Sequence, residues 1–249
     1  MRIVTYNLRY GGKDRVHWRE IIRRFDPDLL LVQESFAPAE HLPRSADDVC
    51  CEHAVWNPVT KTDGKVLEWG SGVYCKGIRP VALEVPGESG WITGAEVDGF
   101  SFLDTPPRRL RAFSLHAATG RGSYAAVVNG ALDQLLRFRE DCDLVIAGDF
   151  NLTISPRHES EKRTTSAADL KIQQRLREEF GLVNCWSRCN AVQPLSQTLR
   201  WSNDPKEPFH CDGIFVPTRW AELLRSCAVQ ADDGWNALSD HNPIVAEFV

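Results

Sequence analysis

The chain has 249 residues, 43% hydrophobic and 25% charged, with a formal net charge of −5 at pH 7. That composition is ordinary for a soluble globular protein, and the lack of any apolar stretch near ~20 residues excludes a membrane-spanning helix. The net negative charge does not exclude nucleic acid as a partner, because clustered metal-binding carboxylates supply negative charge while a local basic rim still attracts phosphate.

In chain order, Met1–Arg9 reads as a strand carrying Asn7. Since that strand begins at residue 2, no signal peptide is expected, and the expected location is cytoplasmic, with no membrane partner. Trp18, Ile21, Ile22 and Phe25 recur at helical spacing and predict a helix over 16–25, ended by Pro27. Asp28–Glu34 is an apolar strand closing on Glu34. Short strands are predicted at 52–56, 72–76, 79–85 and 91–97, punctuated by Gly, Pro and Asp. Leu110–His116 is another strand, and Val128, Ala131, Leu132, Leu135 and Leu136 mark a helix over about 123–139. Asp143–Ala147 runs into Gly148-Asp149-Phe150-Asn151. A third helix spans 168–180, stopped by Gly181. Strands follow at 197–201, 211–216 (with Asp212), 225–229 and 244–248, the last preceded by Ser239-Asp240-His241-Asn242-Pro243.

No linker, charge block or repeat divides the chain, so one domain over 1–249 is expected, and a monomer is the favoured state. Many strands with a few helices fit two sheets packed face to face with helices outside, although periodicity alone leaves a single mixed sheet nearly as acceptable. The eight cysteines lack finger-like spacing: Cys50 and Cys51 are adjacent and Cys185 and Cys189 form a lone pair. Reduced, mostly buried thiols are the expectation.

The polar residues at strand ends carry the chemistry. Taken singly, each has a bland reading: Glu34 leaving the core for solvent, Asp149 in a turn, Asn151 as a cap. Together they offer oxygen donors for a hard divalent ion and imidazoles for phosphate, the parts of a metal-assisted phosphoester hydrolase. His17, His41, His53, His158 and His210 have no such context.

Asn7, Glu34, His116, Gly148-Asp149-Phe150-Asn151, Asp212 and Ser239-Asp240-His241, in this order from one end of the chain to the other, resemble the endonuclease/exonuclease/phosphatase superfamily, which includes deoxyribonuclease I and exonuclease III. The resemblance implies a four-layered αββα sandwich of two mixed sheets. It also implies Mg²⁺ (with Mn²⁺ as substitute) held by Glu34 with Asn7 beside it, and Asp240 touching the ion directly or through water. Asp149 is implied to orient or deprotonate the attacking water, Asn151, His116 and His241 to donate to phosphate oxygens, and Asp212 to orient His241.

The loops lean towards nucleic acid. The segment 152–168 starts beside Asp149/Asn151 and holds Arg157, Lys162 and Arg163 with a hydroxyl run, suited to a phosphate backbone. Trp69 and Trp201 are placed to stack on bases, with core packing as their alternative. His210-Cys211 stands before Asp212 where many relatives carry Arg, and no match appears to the tyrosine-bearing segment of apurinic endonucleases. A generalist nuclease is the expected function. A phosphatase or phosphodiesterase acting on a small molecule or lipid headgroup is the alternative, followed by a silent binding module, against which the intact site residues argue.

Overall fold

A period-two alternation of apolar side chains sorts the strands into two stacked sheets. The structure is a computed structural model and describes residues 1–10, 17–44, 49–100, 108–117, 122–161, 163–200, 208–231 and 234–249. Its elements are β1 (Arg2–Asn7), α1 (His17–Phe25), β2 (Leu29–Ser35), β3 (Ala54–Thr60), β4 (Val66–Cys75), β5 (Val81–Leu83), β6 (Ile92–Phe100) and β7 (Arg108–His116). They continue with α2 (Tyr124–Leu135), β8 (Asp143–Asp149), α3 (Ala167–Glu178), β9 (Leu182–Asn184), α4 (Cys185–Cys189), β10 (Asp212–Pro217), β11 (Leu224–Val229), α5 (Trp235–Leu238) and β12 (Ile244–Phe248).

One six-stranded sheet has the order β11-β12-β1-β2-β4-β3 and the other β5-β6-β7-β8-β10-β9. Each is mixed: β1–β2 and β7–β8 are parallel pairs and their neighbours antiparallel. Alternate residues face opposite ways. Ile3, Leu29, Leu31, Val145 and Ala147 therefore fill the space between the sheets. Val4, Tyr6, Leu30 and Val32 face outward onto Trp18, Ile21 and Ile22 of α1. On the far side Phe113, Leu115, Leu144 and Ile146 meet Val128, Leu132 and Leu135 of α2 and Ile172 and Leu176 of α3. The result is the αββα sandwich, in which each fully buried aliphatic side chain contributes about 1.5–3 kcal/mol.

Towards one end of the sandwich the inter-sheet layer turns polar. Thr5, Gln33, Ser71, Thr93 and Ser114 are fully buried. Gln33 Nε2 donates to Ser114 Oγ (2.9 Å), and Ser114 Oγ donates to the Val32 carbonyl (2.7 Å), which ties β2 to β7. Thr5, Gln33 and Ser114 shortly precede Asn7, Glu34 and His116 in their strands. The sheets are thus cross-linked where the site forms.

Several elements differ from the sequence reading. Residues 52–56 give a 3-10 turn at Cys51–His53 and then β3, because the edge strand pairs with β4 as far as Thr60. β4 starts at Val66 rather than 72, so Trp69 lies inside a strand. The 79–85 segment is strand only at Val81–Leu83. No strand forms over 197–200; Leu199 makes isolated bridges to Phe209 and His241. The short elements β9 and α4 are too brief to leave a periodic signal. α2 ends at Leu135, followed by a 3-10 turn. All eight cysteines are unpaired thiols. No helix among the described residues is long and apolar enough to cross a membrane.

Candidate active site

Register builds the site. β8 ends at Asp149, which sits opposite His116 of parallel β7 on one side and Asp212 of antiparallel β10 on the other. Three functional side chains therefore share one row across three strands. The preceding Gly148 adopts φ 144°, and a Cβ there would lie 2.0 Å from the Leu115 carbonyl oxygen, so no other residue fits. From the other sheet, Asn7 ends β1, and the β2–β4 register shifts between Val32 and Ser35. Glu34 lies in that irregularity with φ 49°, lifted out of the ladder. Asn151 has φ 53°. Left-handed backbone at non-glycine residues costs of order 1–3 kcal/mol each and characteristically gathers at functional sites.

The two sheets meet through these side chains. Asn7 Nδ2 donates to Glu34 Oε1 (3.2 Å) and to Asp149 Oδ2 (3.0 Å). His116 Nε2 lies 3.4 Å from Glu34 Oε1 and 3.8 Å from Asp149 Oδ2. His241 Nδ1 donates to Asp212 Oδ2 (2.9 Å), while its Nε2 is 3.7 Å from Asp149 Oδ2. The Asn151 backbone N–H donates to Asp149 Oδ1 (2.9 Å), and its Nδ2 donates to the Ala117 carbonyl (3.1 Å) and to Asp149 Oδ2 (3.3 Å). Asp149 is thus the hub, in contact with both imidazoles and both amides.

Burial makes the charges interdependent. Desolvation opposes the charge on His241, but Asp212 and Asp149 outweigh it and lift its pKa to about 9. Desolvation lowers the pKa of His116, and the nearby carboxylates only partly offset it. The site therefore holds one cationic and one neutral imidazole at pH 7. His116 Nδ1 is buried without a hydrogen-bond partner among the described residues, and the ring packs against Trp91 (centroids 5.3 Å apart) and Trp69 (6.0 Å). Burial and then the charge of Asp212 raise Asp149, which makes it a stronger base. Burial alone would also raise Asp212, but the His241 cation overcomes it and holds Asp212 low.

Asp240 lies at the open side of the site, with Arg9 Nε 3.3 Å from its Oδ2. Glu34 is raised by burial, opposed by the Asn7 hydrogen bond, and raised further by Asp240. Two carboxylates that repel each other fit a hard divalent ion of the Mg²⁺ type, which takes one or two carboxylates and keeps several waters. Asn7 departs from its expected part. Its amide nitrogen faces the carboxylates and its oxygen accepts from the Arg9 N–H (3.0 Å), so Glu34 and Asp240 are the oxygen donors that could hold such an ion.

Four further residues escaped the sequence reading. Arg9 and Tyr10 follow Asn7 with φ 43° and 62° and project beside Glu34 and Asp240. Tyr10 is half exposed and packs on Trp69, with centroids 5.0 Å apart. Tyr124, at the start of α2, is within electrostatic reach of Asp149. Arg200 clamps the 239–242 segment by donating to the Ser239 and His241 carbonyls and to Asn242 Oδ1. Ser239 Oγ in turn donates to the Asn7 carbonyl (2.8 Å) and accepts from the His241 N–H (3.1 Å). The Asn7-Leu-Arg-Tyr string could have flagged the first two; Arg200 left no local signal.

The basic loop only partly answers its expectation. The Arg157 guanidinium is turned inward, donating to Glu161 Oε2 (2.5 Å) and to the Pro208 carbonyl (3.2 Å), with side chains 7% and 4% exposed. It holds the loop together and is not placed to track a phosphate backbone. Arg163 is exposed. Lys162 and Trp201 lie outside the described residues. Ser166 caps α3 by accepting from the Asp169 N–H.

The sequence profile of the endonuclease/exonuclease/phosphatase family matches residues 4–241. The chain belongs to this family. Family members are phosphoesterases. The match spans the whole set of strand-end residues assembled above. The fold is similar to an AP endonuclease from Archaeoglobus fulgidus at 15% identity and TM-score 0.69, covering 100% of this chain and 99% of that one. A 3'-5' exonuclease (NExo) from Neisseria meningitidis is similar at 19% identity and TM-score 0.66, with the same coverage. So is a 3' phosphatase NExo variant from Neisseria bound to a product DNA hairpin, at 18% identity and TM-score 0.66, again with 100% and 99% covered. No curated protein matches significantly.

Proposed function

We propose that this family member is a divalent-metal-dependent phosphodiesterase that cleaves nucleic acid by in-line attack of water. The observation that carries the reading is the meeting of His116, Asp149 and Asp212 from one sheet with Asn7 and His241 from the other, Glu34 reaching the cluster through Asn7 and His116. A buried carboxylate of raised basicity takes the proton of the attacking water, a role worth about 10²–10⁴-fold in rate. Cationic His241 donates from Nε2 to a phosphoryl oxygen, and Asp212 fixes its orientation and charge through Nδ1. Neutral His116 donates a second hydrogen bond from Nε2, and Asn151 a third when its Nδ2 exchanges the 3.3 Å bond to Asp149 for the substrate. A divalent ion held by Glu34 and Asp240 would neutralise charge on the phosphoryl oxygens.

Nucleic acid is favoured as substrate by what borders the site. Arg9 is 60% exposed at its mouth, and half-exposed Tyr10, packed against partly buried Trp69, offers a ring face for a base. The Neisseria and Archaeoglobus relatives, whose names describe nucleases and a DNA-bound phosphatase, support the same choice. The test is a substrate panel of bis(p-nitrophenyl) phosphate, plasmid, single-stranded DNA, RNA and sugar phosphates, with Mg²⁺ or Mn²⁺. Diester and nucleic acid turnover is expected. Turnover of sugar phosphates alone would replace this reading with a small-molecule phosphatase.

A further inference from the structure

Asp212 opens β10 in one sheet, and His241 stands three residues before β12 in the other. No strand pairing joins β10 to β12 among the described residues, so sheet register does not set the distance between these two side chains. Residues 197–200, part of a stretch expected to be a strand, bond instead to both neighbourhoods; Leu199 bridges Phe209 on one side and His241 on the other. Towards β10, the Thr198 and Leu199 N–H groups donate to the Phe209 carbonyl (3.0 and 3.1 Å). Thr198 is fully buried, and its hydroxyl accepts from the N–H of Cys211 (2.9 Å) and of Asp212 (3.2 Å), which uses both lone pairs. Towards β12, Arg200 takes three carbonyls in a row. Its backbone N–H donates to Asp240 (2.9 Å), and its guanidinium to His241 (3.2 Å) and to Ser239. The same guanidinium donates to Asn242 Oδ1, while the Asn242 N–H donates to the Thr198 carbonyl (2.7 Å) and its Nδ2 to the Gln197 carbonyl (2.9 Å).

We propose that Thr198 and Arg200 are positioning residues, which make 197–200 a two-sided strap that sets Asp212 against His241. The strap fixes the 2.9 Å bond from His241 Nδ1 to Asp212 Oδ2 without either side chain having to touch substrate. That bond matters because Nε2 of the same ring is the proposed phosphate donor, and a misplacement of about 1 Å in such a group costs on the order of 10²-fold in rate. The donor pattern calls for these two residue types. Val in place of Thr198 keeps the shape and leaves two buried N–H groups without their acceptor. Lys in place of Arg200 keeps the charge but lacks the planar fork that reaches three acceptors at once. The kinetic half of this inference rests on the proposed function; the structural half does not.

The test compares the unmodified chain with Thr198→Val, Thr198→Ser and Arg200→Lys. The first readout is the proton NMR signal of the His241 Nδ1–H, assigned by its loss in Asp212→Asn and recorded without substrate. It should be present in the unmodified chain, broadened by exchange or absent in Thr198→Val and Arg200→Lys, and restored in Thr198→Ser, with far-ultraviolet circular dichroism the same throughout. A signal that persists in folded Thr198→Val and Arg200→Lys, or is missing from the unmodified chain, overturns the strap. If these variants do not fold, hydrogen exchange on the unmodified chain decides. The N–H groups of Arg200, Cys211, Asp212 and Asn242 should show protection factors equal to within about tenfold, and a split between 211–212 and 200/242 overturns a common strap. The second readout is turnover of bis(p-nitrophenyl) phosphate with Mg²⁺. Thr198→Val and Arg200→Lys should lower kcat about 10–10²-fold with KM changed less than about threefold, and Thr198→Ser should recover most of the loss. A raised KM at unchanged kcat would make Arg200 a substrate contact and overturn the positioning role. If no phosphoester is turned over, the proposed function fails, while the imidazole signal and the exchange data still decide the strap.

Discussion

The two sheets contribute unlike halves to one site. From the β7–β8–β10 sheet come His116, Asp149 and Asp212, all at most 5% exposed, aligned by strand register. From the β1–β2 sheet come Asn7 and Glu34, joined by Asp240 and bordered by exposed Arg9 and Tyr10. The first half is desolvated, and burial together with neighbouring charges sets its pKa values; the second is buried at Asn7 but opens to solvent at Asp240, Arg9 and Tyr10, where a cation and a polyanionic substrate would arrive. Proton transfer benefits from the dry half, because electrostatic interactions strengthen as water is excluded. Ion exchange and substrate capture need the wet one.

The largest expected effect lies at the hub. Asp149→Asn conserves volume and removes the base, so kcat on bis(p-nitrophenyl) phosphate should fall roughly 10²–10⁴-fold with the melting temperature little changed. Near-normal kcat would move the base elsewhere, with His116 the next candidate.

Asp212→Asn should come next, with a loss of roughly 10²-fold, because the His241 orientation and charge are no longer held. The His241 pKa, raised from 6.5 to about 9, should fall, as NMR titration of the ring would show. In the unmodified chain this group's stabilisation is complete below about pH 6.5 and lost as pH rises through about 9. At the acid end Asp212, held below its usual 3.8, contributes above that value and loses its contribution as pH falls through the lowered one. Activity should decline along the same alkaline limb, and Asp212→Asn should move that limb to lower pH. An unshifted limb would separate His241 from the chemistry.

On the wet side, Glu34→Gln should weaken metal affinity about tenfold or more and be rescued in part by excess Mg²⁺. An unchanged metal titration would remove Glu34 from the ion. The smallest functional effect belongs to the loop. Arg163→Ala should flatten the slope of log K against log salt for nucleic acid binding by about 0.7–0.9 and spare a small diester. Arg157→Ala, which strands Glu161, should instead lower the melting temperature and leave that slope alone, at a cost of about 3 kcal/mol. If both variants changed the slope alike, inward-turned Arg157 would be a phosphate contact after all.

The strand ends of the dry half were legible in the sequence because an apolar run and its polar tip are local signals. An apolar run ending in His116 or Asp149 announces both the strand and the residue at its tip. The layers were legible for the same reason, since Ile3/Val4 and Leu29/Leu30 sort onto opposite faces by parity. What stayed hidden depends on tertiary contact. Arg157 in a basic stretch looks like a phosphate ligand until Glu161 is seen against it. Arg200 gains its part only once residues 239–242 fold over it. The direction of the Asn7 amide depends on the Arg9 backbone turning left-handed behind it.

The central claim is that the wet half serves a hydrolysis performed in the dry half. The most direct measurement is turnover of bis(p-nitrophenyl) phosphate and of plasmid DNA by chelator-stripped protein as Mg²⁺ is added back. The account predicts no turnover without the ion and a saturable recovery on both substrates. Full turnover surviving exhaustive EDTA treatment, or none on either substrate with Mg²⁺ or Mn²⁺, would contradict it.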